Sequence, residues 1–274
     1  MLKEQIAKEA ATEVAKGIAQ VFPVIYQDVA QPAAKQVGKA LETLTGAVNA
    51  ALAPLELMVW SYEHVKQEFL PKLAEKLRNI PVGQITTPKL HIAGPVLEAL
   101  KFTGHEPSLR ELYLNLLATS MDTATAKKAH PAFVTVIAQI TPDEARLLRL
   151  FERDEDFPLI TVQNRARDRS EFQEALRNFS LLGHDAECAC PELIQSYLDN
   201  LHRLRLVEIT YERHLAEHNS YGRLIADPAV QEQKLTIEKD PVRQFGILKG
   251  VVSLTSFGRQ FCSACVRARV DEST

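Results

Sequence analysis

Residues 86–151 decide the fold, and they read TTPKLHIAGPVLEALKFTGHEPSLRELYLNLLATSMDTATAKKAHPAFVTVIAQITPDEARLLRLF. Apolar residues recur within them at the i, i+3, i+4, i+7 and i+8 positions of one helix face: Leu109, Leu112, Tyr113, Leu116 and Leu117. Pro107 stands just before this face, where a first-turn proline loses nothing because its missing N–H would have no helical partner. The stretch therefore predicts a buried helix that begins at Pro107.

Two further helices are predicted in the same stretch. One opens at Pro131, and the other follows Thr141, whose hydroxyl forms a capping box with the carboxylate of Glu144. Their apolar faces are Phe133, Val134, Ile137 and Ile140 in the first, and Leu147, Leu148 and Phe151 in the second. Three consecutive helices whose apolar faces pack together would form a core, but their residues indicate no catalytic or binding site.

Three phrases of this stretch resemble a known protein family. They are IAGPVLEALKFTGHEPSLRELYLNLLATSMD (92–122), AHPAF (129–133) and ITPDEARLL (140–148), and they are similar to the bacterial abortive-infection alpha family. An upstream segment, YQDVAQPAAKQVGKALETLTGAVNAALAPLELMVW (26–60), resembles the amino-terminal part of that family. The resemblance implies phage defence by sacrifice of the infected cell. It supplies no catalytic residues.

Composition indicates a globular chain with room for two domains. The chain has 274 residues, of which 46% are hydrophobic and 24% charged. Its net charge of −3 argues against broad attraction to nucleic acid or anionic lipid. The opening sequence MLKEQIAKEAATEVAKG lacks the apolar block of a signal peptide, and no run approaches the ~20 apolar residues of a membrane span. We therefore expect a cytoplasmic protein.

The segment at 32–60 allows two interpretations. A helix is predicted over 32–53, and Gly46 and Ala50 lie one turn apart on it, which would let another backbone approach closely. The middle of the segment is uncharged, and Trp60 and Tyr62 lie at one end. The favoured interpretation is an internally packed helix. The alternative is a helix pair that lies at a membrane interface with the aromatic residues at headgroup level.

The predicted fold class is mostly α. An all-helical amino-terminal domain is predicted over 1–140, including a helix that Pro71 breaks near Phe69. A winged-helix-like α+β domain with a long wing insert is predicted over 141–268, and a disordered tail over 269–274.

The winged-helix prediction rests on the order of elements in the second domain. Helices are predicted around 171–179 and from Pro191 onward, and short strands at 207–211 and 251–255. The two strands would form the wing. They are separated by 212–250, a much longer connection than a usual hairpin loop.

A winged helix raises the alternative of a DNA-binding regulator. Its basic candidates are Arg203 and Arg205, at the far end of the leucine-rich helix. The end that would enter the major groove carries Glu192, and a carboxylate there repels phosphate. Nucleic acid is therefore a less favoured partner than protein.

A ribonuclease is a second alternative. Arg177 and Asn178 followed by His184 fit R-N-x5-H, which resembles the loose active-site motif of the HEPN ribonucleases of phage defence. In such sites the arginine stabilises phosphate charge and the histidine takes part in proton transfer. Gly183 directly precedes the histidine and indicates a helix end, so we interpret these residues as surface charge.

Four cysteines form two sequence pairs, Cys188 with Cys190 and Cys262 with Cys265. A disulfide is not expected in a reducing compartment, but four such thiolates could bind zinc. The competing interpretation packs Cys262 and Cys265 as small apolar residues of a terminal helix. We predict no cofactor, with zinc as the alternative.

The remaining titratable side chains of the family-like region match no coordination motif. We interpret them as solvated caps and polar partners instead of a hydrolytic or metal site. They are His91, Glu98, His105, Glu106, Asp122 and His130.

The sequence favours a non-enzymatic defence protein, because the resemblance is long and no residue set forms a convincing catalytic site. Such a protein would act through protein partners or as a homo-oligomer. Membrane action is a further alternative.

Overall fold

The computed structural model describes most of the chain from Val65 onward. The described residues are 65–78, 80–168, 170–216 and 220–267. They divide into two compact units. Residues 65–142 together with 263–267 belong to the first unit, and residues 143–262 form the second. The second unit is thus inserted into the sequence of the first.

The first unit is a set of short helices. Its α-helices are α1 (Leu70–Leu77), α2 (Leu90–Thr103), α3 (Pro107–Ser120) and α4 (Ala132–Ile137). Single π or 3₁₀ turns lie at Val65–Phe69, Val82–Gln84 and Ala126–Lys128. The predicted start at Pro107 is confirmed, and the whole predicted apolar face of α3 is buried. Pro71 lies in the first turn of α1, directly after the π turn, where the sequence predicts a break.

Residues 263–267 complete the core of the first unit. Asn115 donates from Nδ2 to the carbonyl oxygen of Cys265 at 2.8 Å, and the Thr119 hydroxyl donates to that of Ala264 at 2.9 Å. Both side chains project from α3 and are buried. The carbonyl groups at the end of a helical segment have no partner inside the segment. The two side chains of α3 supply those partners for the π turn Cys262–Val266.

The second unit is built on a four-stranded antiparallel sheet with the order β2-β1-β4-β3. Its strands are β1 (Phe157–Ala166), β2 (Phe172–Phe179), β3 (Val207–Thr210) and β4 (Arg243–Leu254). The α-helices from Pro142 onward are α5 (Pro142–Leu150), α6 (Leu182–Asp185), α7 (Ile194–Arg203), α8 (Gly222–Ala226), α9 (Pro228–Glu238) and α10 (Ser256–Phe261). Single 3₁₀ turns lie at Phe151–Arg153 and Pro191–Leu193.

The central pair of strands carries the core of this sheet. β1 pairs with β4 over its whole length, from Phe157 opposite Val252 to Ala166 opposite Arg243. One sheet face packs on the segment that contains α8 and α9. The buried cluster on this face is Ile160, Val162, Tyr221, Leu224, Val230 and Ile237.

β2 departs from a regular ladder. Its pairing with β1 shifts twice, between Ile160 and Val162 and between Val162 and Gln163. Asn178 lies in the first irregular stretch with φ of 51°, in the left-handed region. Because of this irregularity, Leu176 and Phe179 both pack against the same buried cluster although they are three residues apart.

The predicted fold class is wrong, because the chain is mixed α/β. The segment 171–179, predicted as a helix, forms β2, which pairs with β1. The predicted two-stranded wing is part of a larger sheet, since β4 extends over 12 residues and pairs with both β1 and β3.

The all-helical amino-terminal domain is corrected as well. The described part of that domain contains an isolated β-bridge between Ile85 and Asp122. Its remainder, residues 1–64, lies outside the described residues, as does the predicted tail at 269–274.

Candidate functional site

Asp143, in the first turn of α5, places a charged group inside the second unit, where the residue is only 6% exposed. Its carboxylate accepts hydrogen bonds from the backbone N–H of Ala189 at 2.9 Å, from that of Cys190 at 3.1 Å and from the Tyr197 hydroxyl at 2.9 Å. The Arg146 guanidinium pairs with the same carboxylate from the next turn of the helix. We call these five residues the Asp143 cluster.

The next residue, Glu144, also forms a hydrogen bond inside the protein. Glu144, the residue that the sequence assigns to a capping box, is buried and accepts a hydrogen bond from Asn200 Nδ2 at 2.8 Å. Asn200 belongs to α7. The first turn of α5 therefore contacts both the 188–190 loop and α7 through two adjacent carboxylates.

The Asp143 cluster shifts three pKa values. Burial alone would raise the pKa of Asp143, but the hydrogen bonds to its carboxylate and the charge of Arg146 outweigh burial and lower it below 3.8. Burial, helped by the charge of Asp143, raises the pKa of the adjacent Cys188 thiol to about 11. Burial and the hydrogen bond to Asp143 also raise the pKa of Tyr197. At neutral pH the thiol and the phenol are therefore protonated, and they act as hydrogen-bond donors.

The four predicted zinc ligands form no disulfide bond with one another. Cys188 donates from Sγ to the backbone oxygen of Asp143 at 3.6 Å, while Cys262 and Cys265 are buried. Among the described residues, which include Cys190, no group of three or more His, Cys, Asp or Glu side chains could hold a metal ion. The described structure thus does not bring the four thiols into one coordination site.

A second polar network lies on the sheet face opposite the buried cluster, since neighbouring residues of a strand point to opposite faces. The Thr161 hydroxyl lies 2.6 Å from the Tyr211 hydroxyl and accepts from the backbone N–H of Asn178 at 3.2 Å. The Tyr211 hydroxyl donates to Asn178 Oδ1 at 2.7 Å, so the Thr161 hydroxyl is the donor of the bond between the two hydroxyl groups. Asn178 Nδ2 donates to Asp199 of α7 at 3.3 Å. We call these four residues the Tyr211 network.

The Tyr211 network is internally bonded at its two hydroxyl groups and reaches solvent through the exposed Asp199. Burial raises the pKa of Tyr211, and its single proton is held by Asn178. Gly250 makes room for the tyrosine ring, because a Cβ there would lie 2.7 Å from the ring carbon Cδ1. The network joins β1 and β2 to α7, and it stabilises the strand irregularity at Asn178.

The three residues of the ribonuclease-like motif lie on two different elements. Arg177 is exposed on β2, with Nε 3.8 Å from Glu174 Oε2, and the adjacent Asn178 belongs to the Tyr211 network. His184 is exposed on α6, a helix of four residues. Gly183 packs closely on Pro191, since a Cβ there would lie 2.7 Å from the proline oxygen. Ribonuclease activity stays a prediction.

The DNA-binding candidates lie at and after the end of α7. Arg203 donates from Nε and Nη2 to Asn200 Oδ1, at 3.1 and 2.8 Å, on its own helix. Arg205 follows in a turn, with φ of 58°. Glu192 is exposed before α7. DNA binding through these arginines stays a prediction.

Sequence reasoning missed a group of arginines where β1 ends and β4 begins. Arg165 donates from Nε and Nη2 to Gln163 Oε1, at 2.9 and 2.6 Å. The Arg165 side chain lies over Gly246, because a Cβ atom added to that glycine would be 2.5 Å from Arg165 Nε. Arg167 donates from Nε to the backbone oxygen of Arg243 at 3.0 Å. Arg165 lies near the end of β1 and Arg167 directly follows the strand, and the R-A-R sequence could have drawn attention to both.

Two exposed apolar side chains lie beside these arginines. Phe172 is opposite Arg165 in the ladder and is 53% exposed. Val242 accepts a hydrogen bond from the Arg167 N–H at 3.1 Å and is 60% exposed. We call Arg165, Arg167, Phe172, Val242 and Arg243 the arginine end of the sheet.

The polar groups of the family-like region lie at turns and helix surfaces. Asp122 Oδ1 accepts from the Ala124 N–H at 2.8 Å, and His130 Nδ1 accepts from the Ala132 N–H at 3.1 Å. The remaining members are His105 and Glu106, whose Nε2 and Oε1 lie 3.5 Å apart, and His91 and Glu98, which are exposed on α2.

The residues predicted for a membrane or packing interface, Gly46, Ala50, Trp60 and Tyr62, lie outside the described residues. Within the described part of the chain, none of the helices combines the length and the apolar character needed to cross a membrane.

Comparison with known proteins gives one family and one solved structure. The family model described as abortive infection alpha matches residues 61–265. A structure of an uncharacterized protein from the hydrocarbon-degrading marine bacterium Alcanivorax borkumensis SK2 is 22% identical, over 53% of this chain and 96% of that one, with a TM-score of 0.35. No curated protein matches the chain.

Proposed function

Because the chain belongs to the abortive infection alpha family, we propose that it takes part in abortive infection by binding a partner and not by catalysing a reaction. The partner is a protein, either a component of the infected cell or a second copy of this chain.

The observation that supports a binding role is how the buried polar groups are used. In the Asp143 cluster the carboxylate accepts three hydrogen bonds and forms an ion pair with Arg146 of the same chain. In the Tyr211 network the two hydroxyl groups bond to each other and to Asn178. A nucleophile or general base needs a hydrogen-bonding position left for its substrate. The Asp143 carboxylate and the two hydroxyl groups instead form their hydrogen bonds with other groups of the protein, as groups that stabilise a fold do.

A phage challenge tests the defence role. Host cells that express the chain should plate a susceptible phage less efficiently than cells with an empty vector. At high multiplicity the culture should collapse without a phage burst, and at low multiplicity it should survive. Unchanged plating across a broad phage panel would remove the main support for the proposal.

Substitutions separate binding from the two alternatives. Arg177→Ala and His184→Ala, at exposed positions, should keep full protection if the protein acts by binding. Loss of protection in folded His184→Ala, together with RNA cleavage by the purified wild type, would favour the ribonuclease. Loss of protection in Arg203→Ala with Arg205→Ala, together with DNA retention in a low-salt gel shift, would favour the regulator.

A further inference from the structure

One side of β4 is paired along only part of its length. β1 pairs with β4 over residues 243–252, whereas β3 pairs on the other side with residues 251–254 alone. After β3 the chain leaves the edge of the sheet, because the Leu215 N–H bonds to the Tyr221 hydroxyl and Leu215 packs on the buried cluster. We call residues 245–249, which lie beyond the end of β3, the open edge of β4.

The odd-numbered residues of the open edge direct their backbone groups away from β1. In an antiparallel ladder, successive residues of a strand bond alternately to one side and to the other. The Arg167 N–H donates to the Val242 oxygen at 3.1 Å, so even-numbered residues of β4 bond towards β1. The Thr255 N–H donates to the oxygen of Leu206, just before β3, at 3.1 Å, so odd-numbered residues bond towards the β3 side.

The outward backbone groups are bonded at both ends of the open edge but not within it. At one end, the Arg243 N–H donates to the Asp240 oxygen at 3.0 Å, and the Arg243 oxygen accepts from Arg167 Nε at 3.0 Å. At the other end, Val251 pairs with β3. Within the described part of the chain, no hydrogen bond joins the outward groups of 245–249 to another group. Because unpaired backbone groups are costly when buried, these groups bond either to water or to a further strand.

The open edge lacks the features that keep other strand edges from pairing, which include bulges and projecting charges. β2, the strand at the opposite side of the sheet, has both: its register with β1 shifts twice, and it exposes Glu174 and Arg177. β4 instead pairs with β1 continuously. Lys249, the single charged residue of the open edge, lies over the Tyr221 ring of its own chain, with Nζ 5.1 Å from the ring centroid.

The free length of the open edge fits a second copy of itself. A two-fold axis at Ile247 places Ile247 opposite its counterpart and Phe245 opposite Lys249 of the second copy, so every outward residue gains a partner. A register shifted by one pair would bring an outward residue against Arg243 or Val251, whose outward groups are already bonded. The centred register also opposes no two like charges.

From this arrangement we propose that two copies of the chain associate through the open edges of their β4 strands, which joins the two four-stranded sheets into one continuous sheet. The strand of a different protein could use the same backbone groups, but the equal free length on both sides of Ile247 favours a second copy. The inference names one partner for the binding role proposed above, and it rests on that proposal only for its part in defence.

Sedimentation velocity of the full chain, from about 1 to 100 µM, tests the association. A contact made by one short strand pair is small, so the average mass should rise towards twice that of the monomer as concentration increases. Ile247→Lys and Ile247→Glu each oppose two like charges at the two-fold axis, so each should raise the dissociation constant at least about tenfold. An equal mixture of the two variants opposes a lysine to a glutamate and should dimerise again.

A second set of variants tests the register. Phe245→Glu faces Lys249 of the second copy, and Lys249→Glu faces Phe245, so each single variant should dimerise within about threefold of the wild type. The double variant opposes two glutamates at both ends and should weaken the dimer at least about tenfold. Phe245 and Ile247 also pack in part against the buried cluster, so thermal unfolding checks that each variant is folded.

Phe172→Lys is the matched control, because it places a charge on the other edge strand at a residue that is 53% exposed. It should dimerise like the wild type. A wild type that stays monomeric at every concentration, Ile247 variants that dimerise normally, a mixture that does not recover, or a loss confined to Phe172→Lys would each overturn the inference.

Phage protection is measured separately with Ile247→Lys. Dimerisation of the wild type together with full protection by the folded variant would support the inference and show that defence does not require the dimer. A monomeric wild type that still protects would overturn the inference and leave the defence proposal standing.

Discussion

The Asp143 cluster and the arginine end use charged groups in opposite ways. Around Asp143 one buried negative charge is surrounded by donors of the chain. At the arginine end, Arg165 and Arg167 carry exposed positive charges and donate hydrogen bonds to neutral oxygens. The difference teaches that burial, more than the sign of the charge, decides how much of the hydrogen-bonding capacity of a charged group is used inside the protein.

The largest effect should come from Asp143→Ala. It leaves two backbone N–H groups and the Tyr197 hydroxyl without an acceptor inside the protein, so we expect a loss of about 3–5 kcal/mol in the free energy of unfolding. Urea denaturation measures this loss. A loss below about 1 kcal/mol would mean that water replaces the carboxylate at little cost, and the contrast between the two regions would fail.

The same carboxylate gives a pH test with a defined sign. The folded pKa of Asp143 lies below its ordinary value of 3.8, so its contribution is fully present above that value and is lost as pH falls through the folded pKa. The stability difference between wild type and Asp143→Asn should therefore be constant above about pH 5 and shrink in more acidic solution. A difference that grows on acidification would contradict the lowered pKa.

A smaller effect is expected at Asn178 in the Tyr211 network. Asn178→Ala removes the bonds to Tyr211 and Asp199 and puts an alanine at φ of 51°, for a loss of about 2–3 kcal/mol. Asn178→Gly removes the same bonds without the backbone strain, so it should be about 1 kcal/mol more stable than the alanine variant. Equal stability of the two variants would show that the strand irregularity relaxes.

The two cysteines at the Asp143 cluster should differ in reactivity. Burial raises the pKa of Cys188 to about 11, and Cys190 is only half-buried. Only the thiolate is nucleophilic, so iodoacetamide at neutral pH should modify Cys188 at least about tenfold more slowly than Cys190. Peptide mass spectrometry of timed samples gives both rates. Faster modification of Cys188 would show that the 188–190 loop is open in solution.

The smallest change in the free energy of unfolding is expected for substitutions at the arginine end. Arg167→Ala removes an exposed side chain that makes one hydrogen bond to a backbone oxygen, so it should change the unfolding free energy by less than about 0.5 kcal/mol. Arg165→Ala also removes both hydrogen bonds to the buried Gln163, so it should cost about 1 kcal/mol. The same denaturation experiment measures this. A loss comparable with that of Asp143→Ala would make the arginines structural and would remove the contrast.

The parts that sequence reasoning predicted are those with local causes. The start of α3 depends on Pro107 and an apolar face of helical period, and both are visible in the sequence. The start of α5 at Pro142 is likewise marked by Thr141 and the proline. These signals need no knowledge of what the helix packs against.

The error in fold class has a non-local cause. The sequence of β2, FQEALRNF, is rich in helix-forming residues, and Leu176 and Phe179 have helical spacing. In the structure both face one core because the strand is irregular at Asn178, whose left-handed backbone is stabilised by Tyr211 from another part of the chain. Pairing partners decide such a segment, and a periodicity within one segment cannot identify them.

The candidate sites show the same limit. The Asp143 cluster joins α5 to a loop 46 residues later in the sequence, and the sequence suggests only a cap for that helix. At the arginine end, Arg165 and Arg167 are close in the sequence, but Arg243 comes beside them only through the pairing of β1 with β4. Residues 264 and 265 accept hydrogen bonds from Asn115 and Thr119, about 150 residues earlier, and such a distant contact leaves no local signal in the sequence.

That contact has a consequence for the order in which the protein forms on the ribosome. Residues 143–262, the second unit, are translated before residues 263–267. Until the later segment emerges, Asn115 and Thr119 lack the carbonyl acceptors that they use in the finished protein. Domains generally fold as units during synthesis. The unit that starts first in the sequence is therefore the one that is completed last, because its final segment is translated after the whole of the second unit.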